Sequence, residues 1–133
     1  MLRTVRRVLR NLLRVTQWNK YMEIIAKTTN ISQSPKKIRV IARKITDLSV
    51  DEALETLKHL PKRAAKPLYK TIRSAVANAE HNESLKKDDL EIKEIEVGQA
   101  FVRRAPEFRA RGRLNWRRKR SSHIRVVLTT KSK

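Results

Sequence analysis

Hydrophobic positions change period several times along this chain, and each change marks an element. Over residues 2–16, Leu2, Val5, Leu9, Leu12 and Leu13 recur at helical spacing. Arg3, Arg6, Arg7, Arg10 and Arg14 take the other side, which predicts an amphipathic helix. From Glu23 to Ile31 the residues partly alternate and are rich in β-branched Ile and Thr, the pattern of a strand. Ser34-Pro35 then offers an N-cap followed by proline at the first helical position. The helix it opens buries Ile38, Ile41, Ala42, Ile45 and Leu48 and turns Lys36, Arg39 and Arg43 outward. Ser49-Val50-Asp51-Glu52 is a capping box in which Ser49 and Glu52 satisfy each other's backbone donors. The helix behind it buries Val50, Ala53, Leu54, Leu57 and Leu60, and ends before Pro61.

A third helix is predicted from about Lys62 to Glu80, burying Ala65, Leu68, Ile72, Ala75, Val76 and Ala79. Its outer stripe is Lys62, Arg63, Lys66, Lys70 and Arg73. Pro67 conflicts with a helix interior, so either the helix starts near Lys66 or it kinks there. Residues 81–89 are polar and turn-like. Leu90 to Val97 and Ile124 to Leu128 then alternate as strands, too far apart for an ordinary hairpin loop. Residues 98–121 between them are too poor in apolar side chains to build a core. The economical solution is a long two-stranded ribbon whose outer part projects from the body. Such a ribbon is marginal in water by itself, so this one needs a partner to become ordered.

Charge sharpens that picture. The chain has 133 residues, with 33 Lys+Arg against 13 Asp+Glu and a net charge of +20. Residues 1–21 hold six cations and no acid, and residues 98–133 hold twelve cations and only Glu107. Residues 22–97, with fifteen cations and twelve acids, are balanced like an ordinary domain. The expected organisation is therefore a basic amphipathic extension over 1–21 and a single domain over 22–133, with its hairpin at about 98–121. For the extension three roles fit: an RNA-contacting or packed arm, a transit peptide, and a surface-lying membrane helix. A start near Met22 would point to the second of these or to an alternative initiation site.

Composition excludes much chemistry. Cysteine is absent, which removes disulfides, thiol catalysis and cysteine metal sites. The three histidines, His59, His81 and His123, show no metal-ligand spacing, and the two glycines, Gly98 and Gly112, are too far apart for a phosphate loop. His59 and His81 sit near helix ends, where capping accounts for them, and Asp88-Asp89 reads as a turn. No run of about 18 apolar residues exists to span a membrane. We therefore expect no catalytic residue, metal, cofactor or small-molecule substrate. A charge this large points to a polyanion, and nucleic acid is the commonest.

The ribbon carries the positive signal. Arg103, Arg104, Arg109, Arg111, Arg113, Arg117, Arg118, Lys119, Arg120 and Arg125 are arginine in nine of ten cases. Arginine's planar fork binds phosphate bidentately and stacks on bases. Phe101, Phe108 and Trp116 are interleaved, placed to stack on splayed bases or, for Trp116, to anchor the ribbon on its own backbone. Gly112 amid bulky cations marks a tight turn or a close backbone approach. His123 falls on the strand face opposite Ile124, in a structural or RNA-facing position.

Ser74-Ala75-Val76-Ala77-Asn78-Ala79-Glu80-His81-Asn82 is followed by Arg109-Ala110-Arg111-Gly112-Arg113 and Lys119-Arg120-Ser121-Ser122-His123-Ile124. With Ser34-Pro35-Lys36-Lys37-Ile38-Arg39 and Lys62-Arg63-Ala64-Ala65 in support, the chain from about Met22 to Thr130 resembles the family of ribosomal protein twenty-two of the large subunit. The resemblance implies an α+β fold, three helices packed on a small antiparallel sheet with a long protruding β-hairpin. It implies binding to large-subunit rRNA, support of subunit assembly, and a hairpin tip in the wall of the peptide exit tunnel. There the tip would neighbour large-subunit protein four and the nascent peptide. The stretch from Arg103 to Asn115 corresponds to the region tied to macrolide antibiotics and nascent-chain sensing. The family usually reads Pro-Arg-Ala-(Lys/Arg)-Gly-Arg-Ala at the tip, where this chain has Phe108 in the proline place and Leu114 in the last alanine place. The stretch after Gly98 is also about two residues longer, with Pro106 displaced.

The candidate RNA-contacting set is Lys36, Arg39, Arg43, Lys66, Lys70, Arg103, Arg104, Arg109, Arg111, Gly112, Arg113, Trp116, Arg117, Arg118, Lys119, Arg120, Ser122 and His123. A bacterial-type cytoplasmic ribosome is the expected location, with an organellar ribosome as the alternative. An architectural or regulatory DNA-binding protein is the competing class, but no recognition helix with base-reading residues is visible. The crowding of like charges predicts backbone order parameters below about 0.6 at Arg109–Leu114 in the free protein, rising on rRNA binding. Rigid values there without RNA would contradict it.

Overall fold

The computed structural model describes residues 22–130, so the helical pattern of residues 2–16 lies outside the described residues. The elements are β1 (Glu23–Ile31), α1 (Pro35–Ile45), α2 (Val50–His59), α3 (Ala65–Glu83), β2 (Leu90–Phe108) and β3 (Leu114–Thr130). Single 3-10 turns at Lys87–Asp89 and Ala110–Gly112 precede and cap the β2–β3 hairpin. The sheet is antiparallel in the order β1-β3-β2, and the three helices pack on one of its faces. This is the α+β architecture with a long hairpin that the sequence pattern and the family resemblance anticipate.

Each helix begins as its local chemistry dictates. Pro35 occupies the first turn of α1, but Ser34 contributes through its carbonyl, which accepts from the N–H of Lys37 at 3.1 Å and Ile38 at 3.4 Å, not through its hydroxyl. At α2 the capping box is complete: Glu52 N–H donates to Ser49 Oγ and Ser49 N–H to Glu52 Oε2. The third helix starts at Ala65, three residues later than expected, which resolves the conflict at Pro67. Proline is then the third helical residue, in the first turn, where a backbone N–H has no intrahelical partner to lose. The helix runs on to Glu83 and ends on Ser84 in the left-handed region, with Leu85 N–H donating back to Ala79.

The core lies between helices and sheet. Ile38, Ile45, Leu68, Ile72, Leu90, Ile124 and Leu128 are its largest fully buried aliphatic side chains. One polar contact crosses it: Thr71 Oγ1 lies 2.9 Å from the Pro67 carbonyl and 2.8 Å from Thr28 Oγ1. A hydroxyl has one proton, so Thr71 donates to Pro67 and Thr28 donates to Thr71, tying β1 to α3. Leu54 and Leu60, expected inside, are only half-buried at the margin of α2.

Two bulges in β2 set where its side chains point. Between Ile92 and Glu94 the register against β3 slips by one residue, so Leu90 and Ile92 face the helices and then Ile95 and Val97 do. A second slip between Gln99 and Val102 restores the original phase along the ribbon. Beyond Val97 no ribbon residue is fully buried until Ser122, where the body resumes. From Gly98 to Phe108 the ribbon extends about 33 Å at the usual strand rise.

Leu68 is fully buried in the first turn of α3, just after Pro67. Leu68→Ala should lower the unfolding free energy by about 2–5 kcal/mol, read by chemical denaturation. A loss below about 1 kcal/mol would show that this helix is not seated as described.

Candidate nucleic-acid interface

β3 alternates without interruption, so its even-numbered residues stay on the side the helices occupy all the way to the tip. On that side the ribbon pairs Val102 with Arg120, Arg104 with Arg118, Pro106 with Trp116 and Phe108 with Leu114. On the open side it pairs Arg103 with Lys119, Ala105 with Arg117 and Glu107 with Asn115. Glu107, the single acid of residues 98–133, meets Arg117 at 3.6 Å on the open side. The helix side of the ribbon therefore holds no carboxylate.

Where the ribbon leaves the body, a crevice opens between the start of α1, the loop before α3 and β3. Ser32, Gln33, Ser34, Lys37, Val40, Ile41, Lys62, Arg63, Ala64 and Arg117 to Arg120 line it. At about 910 Å³ it matches a small-molecule pocket in size, but seven cations and no acid line it. Its chemistry suits an extended polyanion. Among the described residues, the two groups with shifted titration, Glu23 and Lys87, are not part of it. Lys93 beside Glu23 holds that carboxyl below its usual range, and Asp51 beside Lys87 holds that ammonium above its own.

The structure distributes the expected contact residues unevenly. Arg103, Arg104, Arg109, Arg111, Arg113 and Arg117 to Arg120 are exposed along the ribbon, and Trp116 is 64% exposed rather than folded onto its own backbone. The tip turn places Arg111 and Gly112 at positive φ, closed by Arg109 N–H donating to Arg113 O at 2.8 Å. A side chain at Gly112 would touch nothing, so the glycine answers to backbone conformation and not to a crowded neighbour. Lys36, Arg43, Lys66 and Lys70 are exposed on the helices but do not line the crevice. Lys37, Lys62 and Arg63 line it instead. Of these, Lys37 belonged to no expected stripe, while Lys62 and Arg63, expected on the outer stripe of the third helix, lie in the loop before it.

Three expected contacts turn out to hold the ribbon's root. Ser122 is fully buried and its Oγ donates to the Gln33 carbonyl at 2.9 Å, so it is an internal tie and not a surface contact. Arg39 donates twice to the Val97 carbonyl, at 3.1 Å from Nε and 2.8 Å from a terminal nitrogen, clamping α1 to β2. His123 is exposed, and its Nδ1 accepts from Asn30 N–H at 3.2 Å, beside the β1 bulge where Asn30 has positive φ. The neutral ring then carries its proton on Nε2, which is left free to donate outward.

A compact α+β body with an acid-poor cationic ribbon has the charge pattern of a scaffold for a polyanion. The family model described as ribosomal protein L22p/L17e matches residues 26–129. The large ribosomal subunit protein uL22 of Chloroflexus aggregans is 41% identical over 111 residues, covering 84% of this chain and 98% of that protein. The uL22 protein of Akkermansia muciniphila is 43% identical over 107 residues, covering 80% and 96%. The chain belongs to the ribosomal protein L22p/L17e family, and as such it is a structural constituent of the large ribosomal subunit and not an enzyme.

Ser122→Ala leaves the Gln33 carbonyl unpaired in a part-buried site, which should cost about 1–3 kcal/mol of stability. The RNA affinity of the folded fraction should stay within about twofold. A stable variant with a large loss of RNA affinity would return Ser122 to the contact surface.

Proposed function

We propose that this protein binds large-subunit rRNA through its ribbon and crevice, supports subunit assembly, and carries its hairpin tip to the wall of the peptide exit tunnel. The observation behind this reading is the concentration of cations on a ribbon that has no core of its own. Phosphates lining a narrow rRNA cleft neutralise the ribbon from both sides, whereas one face of a duplex would leave half its charge unmatched. Arg103, Arg104, Arg109, Arg111, Arg113, Arg117, Arg118, Lys119 and Arg120 then contact phosphate along the ribbon, and Lys37, Lys62 and Arg63 within the crevice. Lys36, Arg43, Lys66 and Lys70 extend the cationic surface over the helices. Arg39 and Ser122 serve by fixing the ribbon's angle.

Family membership supports a tip beside large-subunit protein four and the nascent peptide. The bacterial origin of the relatives supports a bacterial-type cytoplasmic ribosome. The single domain over 22–133 acts in this reading as a rigid mount for the hairpin, with residues 1–21 as an additional basic arm.

Release of counterions predicts a steep salt dependence. With about six to ten phosphates contacted, affinity for large-subunit rRNA should fall by about 10³–10⁵ between 50 and 200 mM salt. Each Arg→Gln change on the ribbon should reduce the log–log slope by about one. Filter binding against rRNA and duplex DNA at matched salt is the check. A flat salt response, or equal affinity for the duplex, would defeat the reading.

A further inference from the structure

The cation count conceals a second feature of the ribbon. Its last two rungs on the helix side pair Pro106 with Trp116 and Phe108 with Leu114. Trp116 is 64% exposed, Phe108 80% and Leu114 47%, and among the described residues no element covers any of them. Four apolar side chains on one face of a two-stranded tip contribute nothing to the core, and their exposure opposes solubility. They are also one-sided. The open face of the same rungs carries Glu107, Asn115 and Arg117.

The surroundings restrict what this face can hold. Arg104 and Arg118 form the next rung on the same face, and the tip turn adds Arg109, Arg111 and Arg113. Glu107 stands on the opposite face and is paired with Arg117. An occupant must therefore bring a flat apolar surface and negative charge within one rung of each other. An apolar peptide supplies the first without the second, and duplex nucleic acid keeps its flat faces stacked inside. An unpaired nucleotide supplies both: a π-face for the indole and phenyl rings, and a phosphate for the adjacent guanidinium groups.

We propose that the helix-side face of the hairpin tip is a stacking platform for unpaired RNA bases, built on Trp116 and Phe108. This rests on the rRNA reading above and adds that the tip recognises single-stranded bases while the crevice and lower rungs hold backbone phosphate. Because Trp116 and Phe108 are exposed, their replacement leaves the fold intact.

The full chain with Trp18→Phe keeps Trp116 as its one indole, so fluorescence reports on the tip. A short unpaired RNA should quench it. A strand of the same length without bases, and the matched duplex, should bind without quenching. Trp116→Ala should weaken binding of the unpaired RNA by about 5- to 150-fold with the salt slope unchanged. Trp116→Phe should restore most of the loss, and Phe108→Ser should weaken binding in the same direction. If the baseless strand binds as tightly as RNA and Trp116→Ala changes nothing, the platform is refuted while salt-dependent rRNA binding stands. Quenching by an apolar peptide but not by RNA would refute it in favour of a peptide-contact face. So would concentration-dependent self-association that Trp116→Ala abolishes without any RNA quench. Loss of salt-dependent rRNA binding by the parent chain would instead remove the reading on which it rests.

Discussion

The ladder between β2 and β3 is the interaction on which the rest of the molecule depends. Inside the body β3 is the central strand, paired with β1 on one side and β2 on the other, with Ile124, Val126 and Leu128 pressed against the helices. Pairing with β1 ends at Ser122, and from there to Leu114 β3 has β2 alone. A two-stranded ribbon of this composition has little reason to hold its shape in water. Its direction is inherited from the three-stranded part. Arg39 on the Val97 carbonyl and Ser122 on the Gln33 carbonyl fasten both ribbon strands at the point where that inheritance begins.

The bulges matter because a strand's side chains alternate, so one inserted residue exchanges its faces. Without the slip at Lys93, Ile95 and Val97 would point away from the helices and the β2 end of the core would be lost. Without the second slip, near Phe101, the rungs carrying Pro106 and Phe108 would face opposite to Trp116 and Leu114. The core face at Ile95 and Val97 and the tip's apolar face thus coexist only because β2 carries both insertions.

Much of this was legible in the residues. Alternation and helical stripes located β1, the three helices and both ends of the ribbon, and the Ser49–Glu52 spacing announced a capping box that is present. Pro67 left a start near Lys66 or a kink open, and the helix starts at Ala65, with proline in the first turn. Ser34 shows the limit: its identity suits a side-chain cap, yet the carbonyl does the capping. Exposed cations were legible where charge alone decides, as along the ribbon, and internal contacts were illegible because partners decide them. Arg39 looked like one more exposed cation, and only the approach of β2 reveals its acceptor, 58 residues away in sequence. Ser122 and Gln33 lie 89 residues apart, and no local pattern encodes their contact. The two-faced tip was hidden for the same reason: Trp116 and Phe108 share a face only through cross-strand register, which single-strand periodicity does not contain.

Charge segregation then acquires a mechanical meaning. Twelve of the thirteen acids fall within residues 22–97, so the body approaches neutrality while the ribbon does not. A uniformly basic molecule would meet a polyanion in any orientation. With the cations concentrated on the ribbon, the field favours approaches that lead with it, and the body is left to follow. A ribbon about two strands wide can enter a cleft that the helical body cannot, so charge selects the end that leads and shape limits how far it goes. In the rRNA reading proposed above, its root, held by Arg39 and Ser122, turns that entry into a fixed position for the tip.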